Sequence, residues 1–223
     1  MTVQTREILD KELHSVERDL LRISDLVRIA IRRSTKALVE NDTELAHQVI
    51  VTDDVINDLR FAIEQDCMIA VATQQPMASD LRELISGIVI VTELERMGDH
   101  AAGNAKIALW LEDEPHISVP KRLLTMVDNC VEMLEQVLDA FTNRDAETAR
   151  AVAARDDEVD RLHRELFDEL VSSTLANERT SNAALNQLFA AHNIERIGDR
   201  ITNIAERVIF VADGKLEELN VSH

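Results

Sequence analysis

Glu95 and Asp99 stand four residues apart in "VTELERMGDHAAGN", and Glu195 and Asp199 stand four apart in "HNIERIGDRITN". On a helix that spacing puts both carboxylates on one face, a single turn from each other. Two more pairs share the spacing, Asp53 with Asn57 and Asp156 with Asp160. Carboxylate oxygens without thiolates and with few imidazoles are hard donors, suited to magnesium, manganese, calcium or non-haem iron rather than structural zinc. Each carboxylate has two oxygens, and like charges brought together need neutralising, so a convergent set can bridge more than one ion. Cation binding is the chemistry these residues could do. The competing reading is neutralisation from within the protein, for which Arg60, Arg82 and Arg161 are at hand.

The acids are unusual because of where the apolar pattern puts them. Leu81, Leu84, Ile88, Val91, Glu95, Gly98, Ala102, Ala105 and Leu109 alternate steps of three and four, the seam of a helix, with Glu95 on it. Glu195 falls on the matching series Leu185, Leu188, His192, Glu195, Gly198, Thr202, Ala205 and Ile209. An ionised carboxylate facing a core is costly unless a cation or donors meet it.

Around these two helices the chain reads as all-α, with two tandem three-helix bundles related by internal duplication. A first seam runs through Leu9, Leu13, Val16, Leu20, Ile23, Val27 and Ala30. "ENDTELA" supplies a turn and an N-cap in Asp42 or Thr43, and a second helix carries Val49, Ile56, Ile63 and Cys67 to "TQQPMASD". Pro76 is expected to stop that helix and to sit in the first turn of the next. "LEDEPHISVP", with Pro115 and Pro120, is the linker between a first bundle at 1–112 and a second at 118–223. Beyond it, helices are expected over about 119–142, then from the break at "TNRDAE" to about 175, and from the turn "ANERTS" to about 212. "VTDDVINDLR" aligns with "ARDDEVDRLH", and "LERMGDHA" with "IERIGDRI".

Register then brings the pairs together. If the second and third helices of each half form an antiparallel hairpin, residues equidistant from the turn lie side by side. Asp53 and Asp99 are equidistant from Pro76, and so are Asn57 and Glu95. In the second half, Asp156 with Asp199 and Asp160 with Glu195 both centre between Asn177 and Glu178. Four oxygen-bearing side chains per half should therefore come level. Gly98 and Gly198 permit close helix approach, and Arg96 and Arg196 read as surface residues. His192 reads as a packed core histidine. His163, three after Asp160, makes a D-x-x-H resembling a di-iron ligand pair and is a secondary metal candidate, as is Asn57; the first half has Arg60 at the position aligned with His163.

Composition closes several doors. The formal net charge is −18, which opposes binding to nucleic acid, where cationic side chains must displace counterions. The five glycines form no phosphate-binding loop. Cys67 and Cys130 match no metal or redox spacing and read as reduced core thiols. The charged start "MTVQTREILDKELHSVERDL" does not read as a signal peptide, and the longest apolar run, "ISGIVIV", is too short to insert in a membrane. A cytoplasmic protein is expected.

The doubled L/I-E-R-x-G-D motif, with "QQPMASDLR", "RDDEVDRLHRELFDELV" and "IERIGDRITNIAERVIFVADGK", resembles the PhoU family over essentially the whole chain. The resemblance implies a non-enzymatic cytoplasmic regulator of phosphate uptake. It would act beside a phosphate ABC transporter, through its ATPase subunit, and a sensor histidine kinase, as a negative regulator of the phosphate-starvation response. It also implies divalent or trivalent metal ions, singly or as multinuclear clusters, with iron, manganese, magnesium and zinc all compatible. Paired E/D-x-x-x-D motifs would hold them, here Asp53, Glu95 with Asp99, Asp156 with Asp160, and Glu195 with Asp199. Asn57 stands where the pattern has an acid, which implies a smaller or weaker first cluster. "HAAGNAK" departs from the "NIAE" kept at Asn203–Glu206. A homodimer fits the long exposed helical faces.

Two other functions compete. A ferritin-like di-iron carboxylate oxidase or metal-storage protein would take ligands from four helices of one bundle and carry two E-x-x-H motifs; each half here has three helices, and there is one D-x-x-H. A purely structural helical partner would salt-bridge its acids and bind no metal.

Overall fold

The computed structural model describes residues 3–115, 117–176 and 178–219. Helices α1 (Val3–Glu40), α2 (Thr43–Gln74) and α3 (Ser79–Trp110) form the first bundle. Helices α4 (Lys121–Asn143), α5 (Ala146–Ala153), α6 (Asp156–Ala176) and α7 (Ser181–Asp213) form the second, with a 3₁₀ turn at Glu178–Thr180. There is no strand among the described residues. The fold is the duplicated pair of bundles that the repeat predicts.

The seam of α1 is buried along its length, from Leu9 and Leu13 through Ile23 and Val27 to Ala30. In α2, Val49, Ile56, Ile63 and Cys67 are buried. Each fully buried Leu or Ile contributes about 1.5–3 kcal/mol, so these stripes, more than local propensity, hold the helices in place. Asp42 caps α2 by accepting a hydrogen bond from the Leu45 amide at 2.9 Å. Asp145 caps α5 by accepting from the Glu147 and Thr148 amides.

Helix α3 is covered on two sides. Gly87 faces α1 and α2, where an added Cβ would lie 3.3 Å from Val16 and 3.7 Å from the Cys67 sulfur. Gly103 faces α7, where a Cβ would lie 3.0 Å from Asn193 Nδ2. The two acid-bearing helices therefore pack on each other at the centre of the molecule, and α1 also touches α4. Both cysteines are buried free thiols.

Three boundaries differ from the sequence reading. Pro76 lies in the α2–α3 connection, not in the first turn of α3, because Gln75 and Ala78 take positive φ angles of 49° that turn the chain over. Pro120 is the N-cap of α4 with extended backbone, so that helix begins at Lys121 and not about 119. The second helix of the second half is broken at Ala154–Arg155. There the Arg155 amide bonds to the Val152 carbonyl, a tighter turn, and the Arg155 side chain bonds to Glu132 and Gln136 on α4. The break makes Asp156, Asp157 and Glu158 the first turn of α6, where negative charge meets the positive end of the helix dipole.

Candidate metal centre

The glycines of the doubled motif report how closely the acids are set. A Cβ on Gly98 would lie 3.2 Å from Asp53 Oδ1 and 3.2 Å from Ile56. A Cβ on Gly198 would overlap Asp156 Oδ1 and lie 3.5 Å from Val159. Asp53 is thus level with the Gly98–Asp99 turn, and Asp156 with Gly198–Asp199, the hairpin register that equal distances from the connections require. Asn177, at the centre of the second connection, lies outside the described residues.

Burial and like charge act on these acids together. Asp156 is 7% exposed; its Oδ2 accepts from Thr202 Oγ1 at 3.2 Å, while its Oδ1 is buried with no partner. Burial, then Asp160 and Asp199, push the Asp156 carboxyl up to about 7. Glu195 is likewise raised to about 7 by burial and then Asp199, against the pull of Arg196, and its Oε2 is buried without a hydrogen bond. In the first half, Asp53 is raised to about 6 by burial and then Asp99, with its Oδ1 unpartnered. Glu95 and Asp160 are raised by burial and by Asp99 and Asp199 respectively. Asp99 itself is exposed, and Asn57 turns its amide back to donate to the Asp53 carbonyl at 3.3 Å.

Each hairpin therefore concentrates hard, half-desolvated oxygens with unmet bonding capacity, which fits a cation in charge and in donor type. As the side chains stand, no three His, Cys, Asp or Glu groups among the described residues converge on one point tightly enough to hold an ion. Ligation would need the carboxylates to rotate inward.

The protein's own cations divide unequally between the halves. Arg60 Nε lies 3.7 Å from Glu95 Oε1, and its Nη1 2.9 Å from Glu64 Oε1. Arg161 instead pairs with Glu158 and Glu165, and Arg82 lies against Gly214. Arg96 is exposed, as expected, but Arg196 reaches Asp199 at 2.9 Å, an i,i+3 contact that the surface assignment missed. His192 is a second correction. It is exposed, not packed in the core, and its Nδ1 lies 3.3 Å from Glu195 Oε2. The buried stripe of α7 runs here through Ala184, Gln187, Ala191 and Ile194, and His192 lies to one side of it with Leu185, which is exposed too. The half-buried ring of His163 stands 6.0 Å, centroid to centroid, from that of His192.

A polar seam between the halves went unread in the sequence. Glu93, buried on α3, accepts from Arg200 Nη1 at 3.3 Å and Asn203 Nδ2 at 3.2 Å, both on α7. Asn193 on α7 meets His100 at 3.3 Å and donates to Asn104 at 2.8 Å, both on α3. In the repeat numbering these are reciprocal contacts: Glu93 aligns with Asn193, and His100 with Arg200. The two halves are therefore related by a pseudo-twofold axis through the α3–α7 contact. Where "NIAE" and "HAAGNAK" diverge, Glu206 accepts from the Leu219 amide at 2.9 Å, and Gly103 makes room for Asn193. The signal available was Glu93, Asn104, Asn193 and Arg200 recurring among buried neighbours.

Fold and site together define a duplicated helical bundle with an acid-lined hairpin in each half. The PhoU domain matches the chain twice, at residues 20–108 and 123–208. The chain belongs to the PhoU family. It is 36% identical over 217 residues to a phosphate-specific transport system accessory protein PhoU homolog of Clostridium acetobutylicum, covering 97% of this chain and 99% of that one. It is 34% identical to the homolog of Rhizobium meliloti, covering 92% and 87%. The crystal structure of the phosphate transport system regulatory protein PhoU from Streptococcus pneumoniae superposes with a TM-score of 0.87 at 33% identity, covering 94% of this chain and 99% of that one. PhoU from Pseudomonas aeruginosa does so with a TM-score of 0.87 at 36% identity, covering 92% and 99%.

Proposed function

We propose that this chain is a non-enzymatic accessory protein of a phosphate-specific transport system and represses the phosphate-starvation response when phosphate is ample. What supports it most is identity above a third, along nearly the full length, with relatives that carry the accessory name. The partners in this reading are the transporter's ATPase subunit and a sensor histidine kinase, and the protein works in the cytoplasm. No described helix is long and apolar enough to cross a membrane. Exposed apolar residues such as Phe61, Met68, Phe167 and Phe189 suit a homodimer or a docked partner.

Metal ions belong to the same reading. Asp53, Glu95 and Asp99, with Asn57, would hold one ion or cluster; Asp156, Asp160, Glu195 and Asp199 would hold the other. A bound cation neutralises these carboxylates and ties the two helices of a hairpin together. The chain's part is to desolvate the acids against Gly98 and Gly198 and to keep Asp156 oriented through Thr202.

Two measurements test the proposal. Deleting the gene in the source organism should release phosphate-starvation transcripts at high phosphate, and unchanged repression would reject the regulatory role. Elemental analysis of protein purified without chelator should find metal that a Glu95→Ala/Glu195→Ala double variant loses. Full metal content in that variant would remove the ligand assignment.

A further inference from the structure

Helix α2 is apolar on two faces. One is the buried row of Val49, Ile56, Ile63, Cys67 and Ala70, and α2 packs on α1 and α3. The other points to solvent: Val51, Val55, Asp58, Ala62, Gln65 and Ile69 follow steps of four and three, the spacing of a coiled-coil seam, and every one is exposed. We propose that this outward face is a docking surface for a basic amphipathic helix of a protein partner. It goes beyond the regulatory reading and does not depend on metal, since it names a surface and the chemistry of the protein that covers it.

Val51 is 65% exposed, Val55 46% and Ile69 47%. Single apolar residues on a surface need no explanation, but from Val51 to Ile69 the stripe runs about five turns, or about 27 Å. Beside it stands exposed Phe61, with the Arg60 guanidinium carbon 4.0 Å from its ring centroid. That contact holds an aromatic anchor in place before any partner arrives. The duplication supplies a control. At the matching positions the second half has Ala154, Glu158, Arg161, Glu165, Asp168 and Ser172. There Arg161 pairs with Glu158 and Glu165, and Arg122 on α4 reaches Glu165 at 3.2 Å. The second bundle thus folds with this face polar and closed by its own ion pairs, so folding does not require the apolar stripe of α2.

Charge selects the occupant. The exposed acids of α2 are Glu44, Asp54, Asp58 and Asp66, and no ion pair engages any of them among the described residues. Arg60, the one arginine of a helix without lysine, is turned to Glu64 and Glu95. Lysine and arginine flanking a partner helix would meet these acids while its apolar row lay along Val51, Val55 and Ile69. A second copy is a poor occupant. An antiparallel pairing of two α2 helices that set Val55 against Ile69 would also set Asp58 against Asp66, and a parallel pairing would set each acid against itself. The same acids are repelled by an anionic bilayer.

The test uses the full chain and a fluorescent synthetic peptide of about three heptads, with leucine at the seam positions and lysine or arginine beside them. Anisotropy should show binding that weakens with salt, and a peptide with glutamate in place of every cation should not bind. Val55→Glu/Ile69→Glu should weaken binding by more than about tenfold, although it adds negative charge that a purely electrostatic attraction would reward. Ser172→Glu, at the position matching Ile69 in the second half, should leave binding unchanged. Circular dichroism melting checks that these surface variants stay folded, and Val55→Ser/Ile69→Ser serves should the glutamate pair melt early. Asp54→Asn/Asp58→Asn/Asp66→Asn should weaken binding and flatten its salt dependence. Absence of binding by the basic peptide would overturn the proposal, as would equal binding of the acidic one or undiminished binding in the double variant. So would a dimer in sedimentation, or flotation with phosphatidylglycerol–phosphatidylcholine vesicles, that the double variant loses, because the stripe would then belong to a second copy or to a membrane.

Discussion

Asp156→Asn should stabilise the metal-free protein and at the same time abolish stabilisation by metal. The Asp156 carboxyl is raised from an ordinary 3.8 to about 7, chiefly by burial and then by Asp160 and Asp199. In the native state it therefore keeps a proton that the unfolded chain gives up, so between roughly pH 4 and pH 7 folding stability falls as pH rises. Above pH 7 the full cost of the ionised, buried group remains. A displacement of roughly three pH units corresponds to about 4 kcal/mol, an upper bound because Asp160, Asp199 and Glu195 share the repulsion. Asparagine keeps the shape and can still accept from Thr202 without the charge. Urea unfolding in chelator at pH 8 should thus show the variant more stable by about 2–4 kcal/mol, with the gain disappearing near pH 4. In metal at a hundredfold excess over its dissociation constant, the wild type should gain about 2.7 kcal/mol and the variant much less. A variant less stable than wild type in chelator at pH 8, or a gain that does not depend on pH, would refute the reasoning.

Three further outcomes follow from the same structure. Arg200→Ala strips the cation from buried Glu93 while Asn203 remains, and should lower the unfolding free energy by about 2–3 kcal/mol, read from the urea midpoint. Gly98→Ala should be close to neutral, since the helix propensity gained, about 1 kcal/mol, offsets contacts of 3.2–3.3 Å. Gly198→Ala displaces Asp156 and should reduce both melting temperature and metal content; equal behaviour of the two alanine variants would contradict the tighter approach at Gly198.

The helices and the hairpin register were legible because they rest on periodicity and on distance along the chain, which folding preserves. Glu95 and Glu195 announced themselves by interrupting an apolar series. His192 occupied a seam position and still came out exposed, because the buried face of this part of α7 is made by Ala184, Gln187 and Ala191, small or polar residues that an apolar series passes over. The break before Asp156 was hidden for a related reason: Arg155 leaves the helical path to reach Glu132 and Gln136 on another helix, a tertiary contact with no local signature. Glu93 and Arg200 lie more than a hundred residues apart, and only the docking of one half on the other makes them neighbours.

That docking carries a preference for the other half over a copy of itself. Were two first halves to meet through α3 in the same way, Glu93 would confront His100 and Gly103; two second halves would set Asn193 against Arg200 and Asn203. Neither arrangement restores a carboxylate facing a guanidinium. Each half is thus shaped for its mate in the same polypeptide, and the seam discriminates between left and right.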